Sequence, residues 1–387
     1  MEHTWYFEPH HEGLLAQLKL LGERELEPRE QSWLKSPPQS VDAEDQHARE
    51  LLAVLAREGL TRYAVPAEGA AIDRRALCLI RETLGFCSSL ADFMFAMQGL
   101  GSHALVLGGD KTQQDRWLPG VGRGEIISAF ALTEPQAGSD VGNIQTTARR
   151  DGPHWRLDGQ KCYISNAGLA GMYTLFARTG GPGTKGLSAF IVPGDSPGLH
   201  ITRRHEVMAP HPLGDLQLDG CRIPEDHLIG GEGHGFRLAM ATLDRFRPTV
   251  GAAALGMGRR ALHEATRHVM GRIQFGKPLS DQQLVKFKLA EMETRLEAAR
   301  LLVYQAALVG DMGAERVTRE AAMAKLFATE AASYAIDEAV QLLGGAGVIR
   351  GSIVERLYRE VRPLRIYEGT SEIQHLVIAD QLLRRYQ

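Results

Sequence analysis

Hydrophobic and polar positions follow three successive patterns along the chain. From about Gly13 to Val121, apolar residues recur at spacings of three and four, which predicts amphipathic helices. After Gly124 the chain changes to short β-rich runs separated by Gly, Pro and Asp turns. Beyond Gly235 the helical spacing returns and continues to the last residues. This order predicts an α+β multidomain protein with an N-terminal helical domain, a middle β domain and a C-terminal helical bundle, at 1–124, 125–235 and 236–387.

The middle region carries the strand signals. Short runs with turns such as Asp158-Gly159 between them predict an antiparallel β-barrel or sandwich. The predicted strands are 126–132, 154–157, 162–165, 173–178, 187–192, 199–203 and 216–218.

Helical signals fill the rest of the chain. Lys35–Ser40 predicts a loop, and 110–119 predicts a short helix that ends at Pro119. Long apolar stripes in the C-terminal region predict a bundle of four or more helices. The C-terminal helices are predicted at 249–270, 287–309, 321–343 and 372–383.

Composition narrows the class of protein. The 387 residues are 44% apolar and 24% charged, with a net charge of −3, which is ordinary for a globular protein. This charge gives no electrostatic reason to expect nucleic acid or an anionic membrane as partner. The four cysteines form no CxxC pair and the histidines lack metal-ligand spacing, so no metal site is predicted. We find no signal peptide and no apolar window of membrane-spanning length, and therefore expect a cytoplasmic protein.

A candidate base lies near the C-terminus. The tetrapeptide 367–370, Tyr-Glu-Gly-Thr, precedes the last predicted helix, with Ser371 as its expected N-cap and Gln374 completing a capping box. A carboxylate on a helix-entry turn, between an aromatic residue and a glycine, is placed for proton abstraction. The alternative is that Glu368 only favours the positive end of the helix dipole.

Three other segments are candidates for ligand binding. Thr133–Asp140 is a loop that could present N–H groups and hydroxyls to a planar ligand, although the tripeptides Thr-Glu-Pro and Gly-Ser-Asp within it are common in loops. Arg272–Pro278 could grip a diphosphate or simply connect two helices. Gln341–Gly347 is a glycine C-cap or a weak phosphate loop, and Gly231–Gly235 does not open a βαβ unit, so no dinucleotide fingerprint is predicted.

Taken in chain order, these segments resemble the acyl-CoA dehydrogenase family. The resemblance runs from about residue 85 to 387 and implies an FAD enzyme that oxidises an acyl-CoA thioester to the trans-2-enoyl-CoA and passes electrons to an electron-transfer flavoprotein. The motifs that carry it are Leu132-Thr133-Glu134-Pro135-x-Ala137-Gly138-Ser139-Asp140, Arg272-x-Gln274-Phe275-Gly276, and Gln341-x-x-Gly344-Gly345-x-Gly347 followed by Tyr367-Glu368-Gly369-Thr370.

The resemblance also implies roles for individual residues. Glu368 would remove the α-proton, while its backbone N–H and a flavin hydroxyl hold the thioester oxygen. An ADP half of FAD bound mainly to a neighbouring subunit implies a homo-oligomer, a dimer of dimers. The implied cofactor-binding residues are Phe130, Leu132, Thr133, Ser139, Tyr163, Ile164, Ser165, Arg272, Gln274, Phe275, Gln341, Gly344, Gly345, Thr370 and Glu372. The implied substrate-binding residues are Gln98, Ser139, Asp244, Arg247, Tyr367 and Gly369.

Several positions depart from the family pattern. Phe246 fills the slot where some relatives place the base, and Asp92 lies near the position of the arginine of glutaryl-type members, which disfavours a dicarboxylyl substrate. Small residues at 99, 101 and 102 suggest room for a branched, cyclic or longer acyl chain. The loop Ala209–Pro212 is atypical on the CoA side.

Two alternatives stay open at this point. An oxidase or monooxygenase on the same fold would return electrons to oxygen, but the nitroalkane-oxidase-like and monooxygenase-like members do not carry Glu as the base. A nucleic-acid-associated relative would call for a basic C-terminal extension, whereas the chain ends at Arg384-Arg385-Tyr386-Gln387 with an acidic overall balance.

Overall fold

The predicted order of helices, strands and helices is confirmed in the computed structural model, which describes residues 5–36, 40–67, 69–209, 211–314 and 316–386. Residues 37–39 of the predicted loop and Pro210 of the atypical loop lie outside the described residues. The domain boundaries at 124/125 and 235/236 stay predictions.

The N-terminal helices begin at capping residues that the sequence provides. Ser40, Asp73 and Asp110 each accept a hydrogen bond from a backbone N–H three residues ahead, which satisfies a donor that the first helical turn leaves unpaired. A π-helical turn at Gly22–Leu26 joins the first two helices. The helices are α1 Pro9–Leu21, α2 Glu27–Lys35, α3 Val41–Arg57, α4 Thr61–Ala64, α5 Arg74–Cys87, α6 Ser89–Gly108 and α7 Lys111–Gly122.

Helix α7 corrects one prediction, because it continues through Pro119 to Gly122. The proline removes one helical N–H donor, but its carbonyl still accepts a bond from the Arg123 N–H at 3.0 Å. Asp110 and Gln113 form a capping box at the other end, so the helix loses a single bond and does not stop.

The strands form one predominantly antiparallel sheet of eight, with the order β6-β7-β3-β2-β4-β5-β8 and β1 paired with β4. Two contacts are parallel, β1 with β4 and β2 with β4, which departs from the all-antiparallel prediction. The strands are β1 Ser128–Ala131, β2 Thr147–Asp151, β3 His154–Ser165, β4 Met172–Arg178, β5 Leu187–Pro193, β6 Leu199–Arg204, β7 Leu213–Pro224 and β8 Leu228–Ile229.

Strand β3 joins two runs that the sequence predicted as separate strands. Asp158-Gly159 is not a turn but lies inside β3, where the register against β7 shifts between Leu157 and Gly159. Gly159 has φ +150°, and a Cβ there would lie 2.7 Å from the Thr146 Cα, so the glycine permits a close approach of two chain segments. Strand β2 was not predicted, because only Ala148 of its five residues is buried.

The remaining elements lie in the C-terminal region. The helix α8 is 37 residues long and passes through Pro248. The predicted bundle of long helices is confirmed, and a short helix precedes the last one. These elements are α8 Gly235–Gly271, the hairpin β9 Ile273–Gln274 and β10 Lys277–Pro278, α9 Gln283–Asp311, α10 Thr318–Leu343, α11 Ile353–Glu360 and α12 Ser371–Leu383.

The chain forms two compact units, and each has its own core. Unit 1 contains the described residues of Met1–Gln39, Asp73–Asp92 and Arg247–Gln387, and unit 2 contains those of Ser40–Ile72 and Phe93–Phe246. The unit 2 core lies along the inner face of the sheet around Trp155 and Phe190. The unit 1 core is rich in alanines of α8, α9 and α10, whose small side chains let these helices pack closely.

Glycines bring α5 onto α8 within unit 1. A Cβ at Gly85 would collide with the Ala253 backbone, and one at Gly256 would collide with the Glu82 backbone. Because both contacts are to main-chain atoms, a side chain at either position would force the helices apart. This packing fixes α5 against the part of α8 that carries Arg247.

One helix of the described residues, α6, has the length and hydropathy to cross a membrane, so the expectation that no segment reaches that length is wrong for α6. Most of its apolar window, 83%, is buried inside the protein, as in a core helix.

Candidate active site

Glu368 lies on a strained turn in unit 1. Its φ is +52°, in the left-handed region that non-glycine residues rarely adopt, and Gly369 follows with φ +93°. Helix α12 begins directly after this turn. The N-cap is Thr370, whose hydroxyl accepts from the Ile373 N–H at 3.4 Å, and the predicted cap Ser371 instead donates its hydroxyl to Glu330 Oε1 at 2.7 Å. The helix start is thus one residue earlier than the predicted one.

Three side chains hold the turn by its carbonyls. The Glu368 carbonyl accepts from Arg247 Nε at 3.2 Å and from Gln374 Nε2 at 3.3 Å. The Gly369 carbonyl accepts from Lys325 Nζ at 2.7 Å and from Gln374 Nε2 at 2.9 Å. Gln374 therefore reaches the turn itself and not the N–H of the expected cap, which corrects the predicted capping box. These bonds supply the energy that a left-handed glutamate requires.

Glu368 is half-buried, but its carboxylate oxygen Oε2 is buried and has no hydrogen-bond partner among the described residues. Its backbone N–H makes no such bond within the described ranges either. Burial raises the pKa of Glu368, against the opposing charges of Arg81, Arg247 and Lys325, and Asp92 raises it further. Thr370 caps α12, so a helix-entry role does not account for this side chain. An unpaired carboxylate with a raised pKa is typical of a general base.

In unit 2 the two predicted flavin-contacting segments lie side by side. The Cys162 N–H donates to the Thr133 carbonyl at 3.0 Å, which joins the loop after β1 to the bulge of β3. Leu132 and Ile164 are buried, whereas Phe130, Thr133 and Ser165 are half-buried and Ser139 is exposed. Hydroxyls and main-chain groups thus reach the surface over an apolar base, which suits a planar ring with acceptor atoms. These residues fit a bound flavin.

A buried ion pair that sequence reasoning missed anchors this loop. Lys161 Nζ lies 2.8 Å from Glu134 Oε1 and donates to the Leu132 carbonyl at 3.1 Å. The Glu134 carboxylate also accepts from the N–H groups of Gln145 at 2.7 Å and Thr146 at 3.0 Å. Burial would raise the pKa of Glu134, but Lys161 and these donors hold it lowered. The only sequence signal was a lysine in a β-rich run.

Tyr163 is the strained residue of unit 2. It lies at the second register shift of β3 against β7, with φ +56°, and its side chain is 64% exposed. Its N–H donates to Asp215 Oδ1 at 3.0 Å, and its ring lies 5.3 Å from that of His205, which also bonds Asp215. An exposed aromatic ring on a strained backbone is consistent with a ligand-facing role.

We expect the strain at Tyr163 to be measurable. Tyr163→Gly should unfold at a higher temperature than Tyr163→Ala, by an amount equivalent to about 1 kcal/mol, because glycine adopts a positive φ without steric conflict. Both variants remove the same ring, so thermal unfolding of the two isolates the backbone effect. An alanine variant as stable as the glycine variant would contradict the strain.

Gln98 has a structural role that the sequence did not reveal. Its amide donates to the carbonyls of Val121 at 2.8 Å and Ile126 at 2.9 Å, and it accepts from the Ser128 N–H at 3.0 Å. Both amide hydrogens are therefore used inside unit 2, and its assignment to the substrate stays a prediction. The expected room nearby is wrong. A Cβ at Gly99 would lie 2.5 Å from the Phe246 ring, and one at Gly101 would lie 2.6 Å from Ser128 Oγ.

The residues proposed for the ADP half of FAD lie on exposed segments of unit 1. Phe275 is 93% exposed at the tip of the β9–β10 hairpin and has φ +51°. Arg272 and Gln274, which precede it, are also exposed. Gln341, Gly344 and Gly345 are exposed at the end of α10. No hydrogen bond or ion pair within the described ranges links the two segments. Asp244 is half-buried on α8, and Glu372 is exposed in the first turn of α12.

A histidine–aspartate cluster, His10, His11 and Asp73, has ligand atoms within 4.8 Å of one another. His11 Nδ1 accepts from the Glu8 N–H at 3.0 Å, so its Nε2 carries the proton and donates to Asp73 at 3.1 Å. Asp73 also caps α5 through the Ala76 N–H at 2.8 Å. The His11 Nδ1 lone pair and the Asp73 carboxylate thus take part in a hydrogen-bond network.

The order of the domains matches the predicted one, and Glu368, with its buried Oε2 unpaired among the described residues, lies on a turn held by three side chains, an arrangement that suits proton abstraction. Models of the N-terminal, middle and C-terminal domains of acyl-CoA dehydrogenase match residues 8–125, 129–221 and 233–383. The chain belongs to the acyl-CoA dehydrogenase family.

Relatives of known activity cover almost the whole chain. A 3-(aryl)acrylate reductase of Clostridium sporogenes is 38% identical and covers 98% of this chain and 100% of its own. A cyclohexane-1-carbonyl-CoA dehydrogenase of Geobacter metallireducens is 37% identical over 89% of this chain and 92% of its own. The solved glutaryl-CoA dehydrogenase of Mycobacterium smegmatis in complex with FADH2 has a TM-score of 0.89 and 28% identity, over 98% of this chain and 96% of its own.

Proposed function

We propose that this protein catalyses the FAD-dependent oxidation of an acyl-CoA thioester to the trans-2-enoyl-CoA and passes the electrons to an electron-transfer flavoprotein. The observation that carries the proposal is Glu368 Oε2, which is buried and unpaired among the described residues, on a turn whose carbonyls are fixed by Arg247, Lys325 and Gln374. Membership of the acyl-CoA dehydrogenase family supports the reaction class and FAD as cofactor.

The chain's own residues account for the proton step. Glu368 accepts the α-proton of the acyl group as general base, and its raised pKa makes the ionised carboxylate a stronger base. Its backbone N–H, which has no acceptor among the described residues, is available to the thioester oxygen as negative charge develops there. Arg247, Lys325 and Gln374 keep that N–H and the carboxylate oriented, because they occupy the carbonyls of the same turn.

When bound, FAD supplies the acceptor for the hydride that leaves the β-carbon. We assign its ring to Phe130, Leu132, Thr133 and Tyr163–Ser165. The ADP half is assigned to Arg272, Gln274, Phe275, Gln341, Gly344 and Gly345, with Thr370 and Glu372 as further contacts. Ser139, Asp244, Arg247, Tyr367 and Gly369 are assigned to the acyl-CoA. The exposed Phe275 supports a homo-oligomer, proposed as a dimer of dimers, in which a neighbouring subunit covers this hairpin. We further propose a cytoplasmic location.

Two measurements separate this function from its alternatives. Rapid turnover of acyl-CoA with oxygen alone, without electron-transfer flavoprotein or an artificial acceptor, would identify an oxidase and overturn the proposal. One relative is a 3-(aryl)acrylate reductase, so reduction of the 2-enoyl-CoA is tested separately. In that assay, reduced enzyme is mixed with aryl- and alkyl-2-enoyl-CoA thioesters. The proposal predicts net oxidation when the electron-transfer flavoprotein is the acceptor.

A further inference from the structure

Arg81 is a buried arginine on α5 whose donors are taken by two neighbouring helices. Its Nε and one terminal nitrogen donate to both carboxylate oxygens of Asp92 on α6, at 2.8 and 2.7 Å. Its other terminal nitrogen donates to the Thr249 hydroxyl on α8 at 2.9 Å. Arg81 and Asp92 are 2% and 3% exposed. A two-pronged pair in this setting holds the guanidinium in one position.

This pair is tied by contacts to the turn that carries the proposed base. Arg81 also bonds the side chain of Tyr367, and its acceptor Thr249 is two residues after Arg247, which donates to the Glu368 carbonyl at 3.2 Å. Among the charged side chains that act on Glu368, Arg81 opposes the effect of burial most strongly, and Asp92 acts in the other direction. Both also act on Tyr367, the residue before the base. In the sequence, Asp92 is an argument against a dicarboxylyl substrate. In the structure its carboxylate is paired with Arg81 inside the protein. Arg81 itself carried no signal in the sequence, since an arginine on a predicted helix is ordinarily solvated.

We infer that Arg81 is a positioning residue for the proposed base Glu368. Asp92 partly neutralises Arg81 and so limits the electrostatic effect of Arg81 on the base. The inference rests on the proposed function and adds a residue to it. Arg81 favours the carboxylate form of Glu368. The α5 packing at Gly85 holds the helix that carries Arg81, and the Asp92 and Thr249 bonds hold its guanidinium.

Charged groups face Glu368 from each helix packed around the turn. Arg81 comes from α5, Asp92 from α6, Arg247 from α8 and Lys325 from α10. Lys325 is itself influenced by Glu330 of α10 and Glu372 of α12. Arg247 and Lys325 bond main-chain carbonyls of the turn, so their removal would also move the backbone. Among the described residues Arg81 bonds the side chain of Tyr367 but no main-chain group of the turn, so its removal leaves the carbonyl bonds of the turn in place.

The two members of the pair give opposite predictions. Arg81→Met removes a cation, so the pKa of Glu368 should rise and the pH midpoint of flavin reduction by acyl-CoA should move up by about one pH unit. Asp92→Asn removes an anion and leaves the cation, so the midpoint should move down by about one unit. The double variant removes both charges, and because Arg81 acts on Glu368 more strongly than Asp92, its midpoint should move up by less than that of Arg81→Met. It also avoids an unpaired buried ion, so it is the variant most certain to fold.

The experiment measures anaerobic flavin reduction of the FAD-loaded variants against pH. In parallel, the protonation of Glu368 is followed by infrared difference spectroscopy between each variant and the same variant with Glu368→Gln. A matched control is Asp311→Asn, which breaks the Arg75–Asp311 pair of the same unit, with Nε and Oδ2 at 2.8 Å, away from the turn. The control should lower the unfolding temperature without moving the midpoint.

Shifts of the two single variants in opposite directions support the inference. Shifts in the same direction, or unchanged Glu368 protonation in the double variant and in whichever single variants fold, overturn it. The infrared readout does not need turnover, so it separates the two failures. Opposite infrared shifts without flavin reduction by any acyl-CoA would refute the proposed function and keep the role of Arg81. Normal flavin reduction with no shift would refute only the role of Arg81.

Discussion

Glu368→Gln is expected to retain FAD and the fold while flavin reduction by acyl-CoA slows by about 10²- to 10⁴-fold, the usual contribution of a general base. Glutamine has nearly the same shape but cannot accept the α-proton. The bonds that fix the turn use the main-chain carbonyls of residues 368 and 369, so they survive the substitution. Stopped-flow measurement of flavin bleaching gives the rate directly.

The same variant has an expected effect on stability. Because the pKa of Glu368 is raised in the folded protein, its ionised form destabilises the fold, and this penalty grows as pH rises through the folded pKa and is absent below about pH 4.5. Glu368→Gln should therefore unfold at a higher temperature than the wild type at alkaline pH and at a similar one at acid pH.

The control for both effects is Glu293→Gln, the same chemical change at an exposed site on α9. It should leave the rate and the pH dependence of stability unchanged. Reduction of Glu368→Gln at the wild-type rate would show that another residue is the base.

The second large effect concerns the buried Lys161–Glu134 pair, which anchors the loop that we assign to the flavin ring. Lys161→Met leaves Glu134 buried without its cation, which should destabilise unit 2 by about 3–5 kcal/mol and lower its unfolding temperature by about 10 °C. The loop that includes Thr133 loses its anchor, so FAD should also dissociate more readily. Thermal unfolding and retained flavin after gel filtration measure the two effects.

The matched variants separate charge from packing. Glu134→Gln combined with Lys161→Met removes both charges and keeps an acceptor oxygen for one of the two N–H groups of residues 145 and 146, so it should recover part of the lost stability. Lys111→Met, at the exposed pair with Asp115, should have little effect. The stability that ionised Glu134 provides is present above about pH 4.5 and is lost as pH falls, since its folded pKa is lowered. A Lys161→Met protein as stable as the wild type would contradict the anchor.

Local patterns in the sequence predicted the helices, most of the strands and the position of Glu368. The apolar stripes of α9 and α10 and the turn residues before α12 are formed by residues close together in the sequence, so they can be read locally. The structure confirms these three helices. The exact cap was missed because Thr370 and Ser371 are both hydroxyl residues, and only the contact with Glu330 decides between them. Strand β2 was missed because only one of its five side chains, Ala148, is buried, so it lacks the alternation of apolar and polar residues that marks a strand.

Long-range partners could not be predicted. Lys161 and Glu134 are 27 positions apart, and Arg81 and Asp92 are 11 apart on different helices, so only tertiary packing pairs them. The glycines at 99 and 101 show the converse error. Small residues were taken as empty space, whereas Phe246 and Ser128 fill it. A glycine in a sequence is equally typical of a close approach and of a cavity.

The central claim, that this protein is an acyl-CoA dehydrogenase with Glu368 as base, is tested most directly by anaerobic mixing of FAD-loaded wild-type protein with straight, branched, cyclic and aryl acyl-CoA thioesters. The account predicts that the flavin bleaches with at least one of them, that trans-2-enoyl-CoA forms in an amount equal to the reduced flavin, and that Glu368→Gln does neither at a comparable rate. Flavin that stays oxidised with every thioester, or bleaching that Glu368→Gln leaves unchanged, would contradict it.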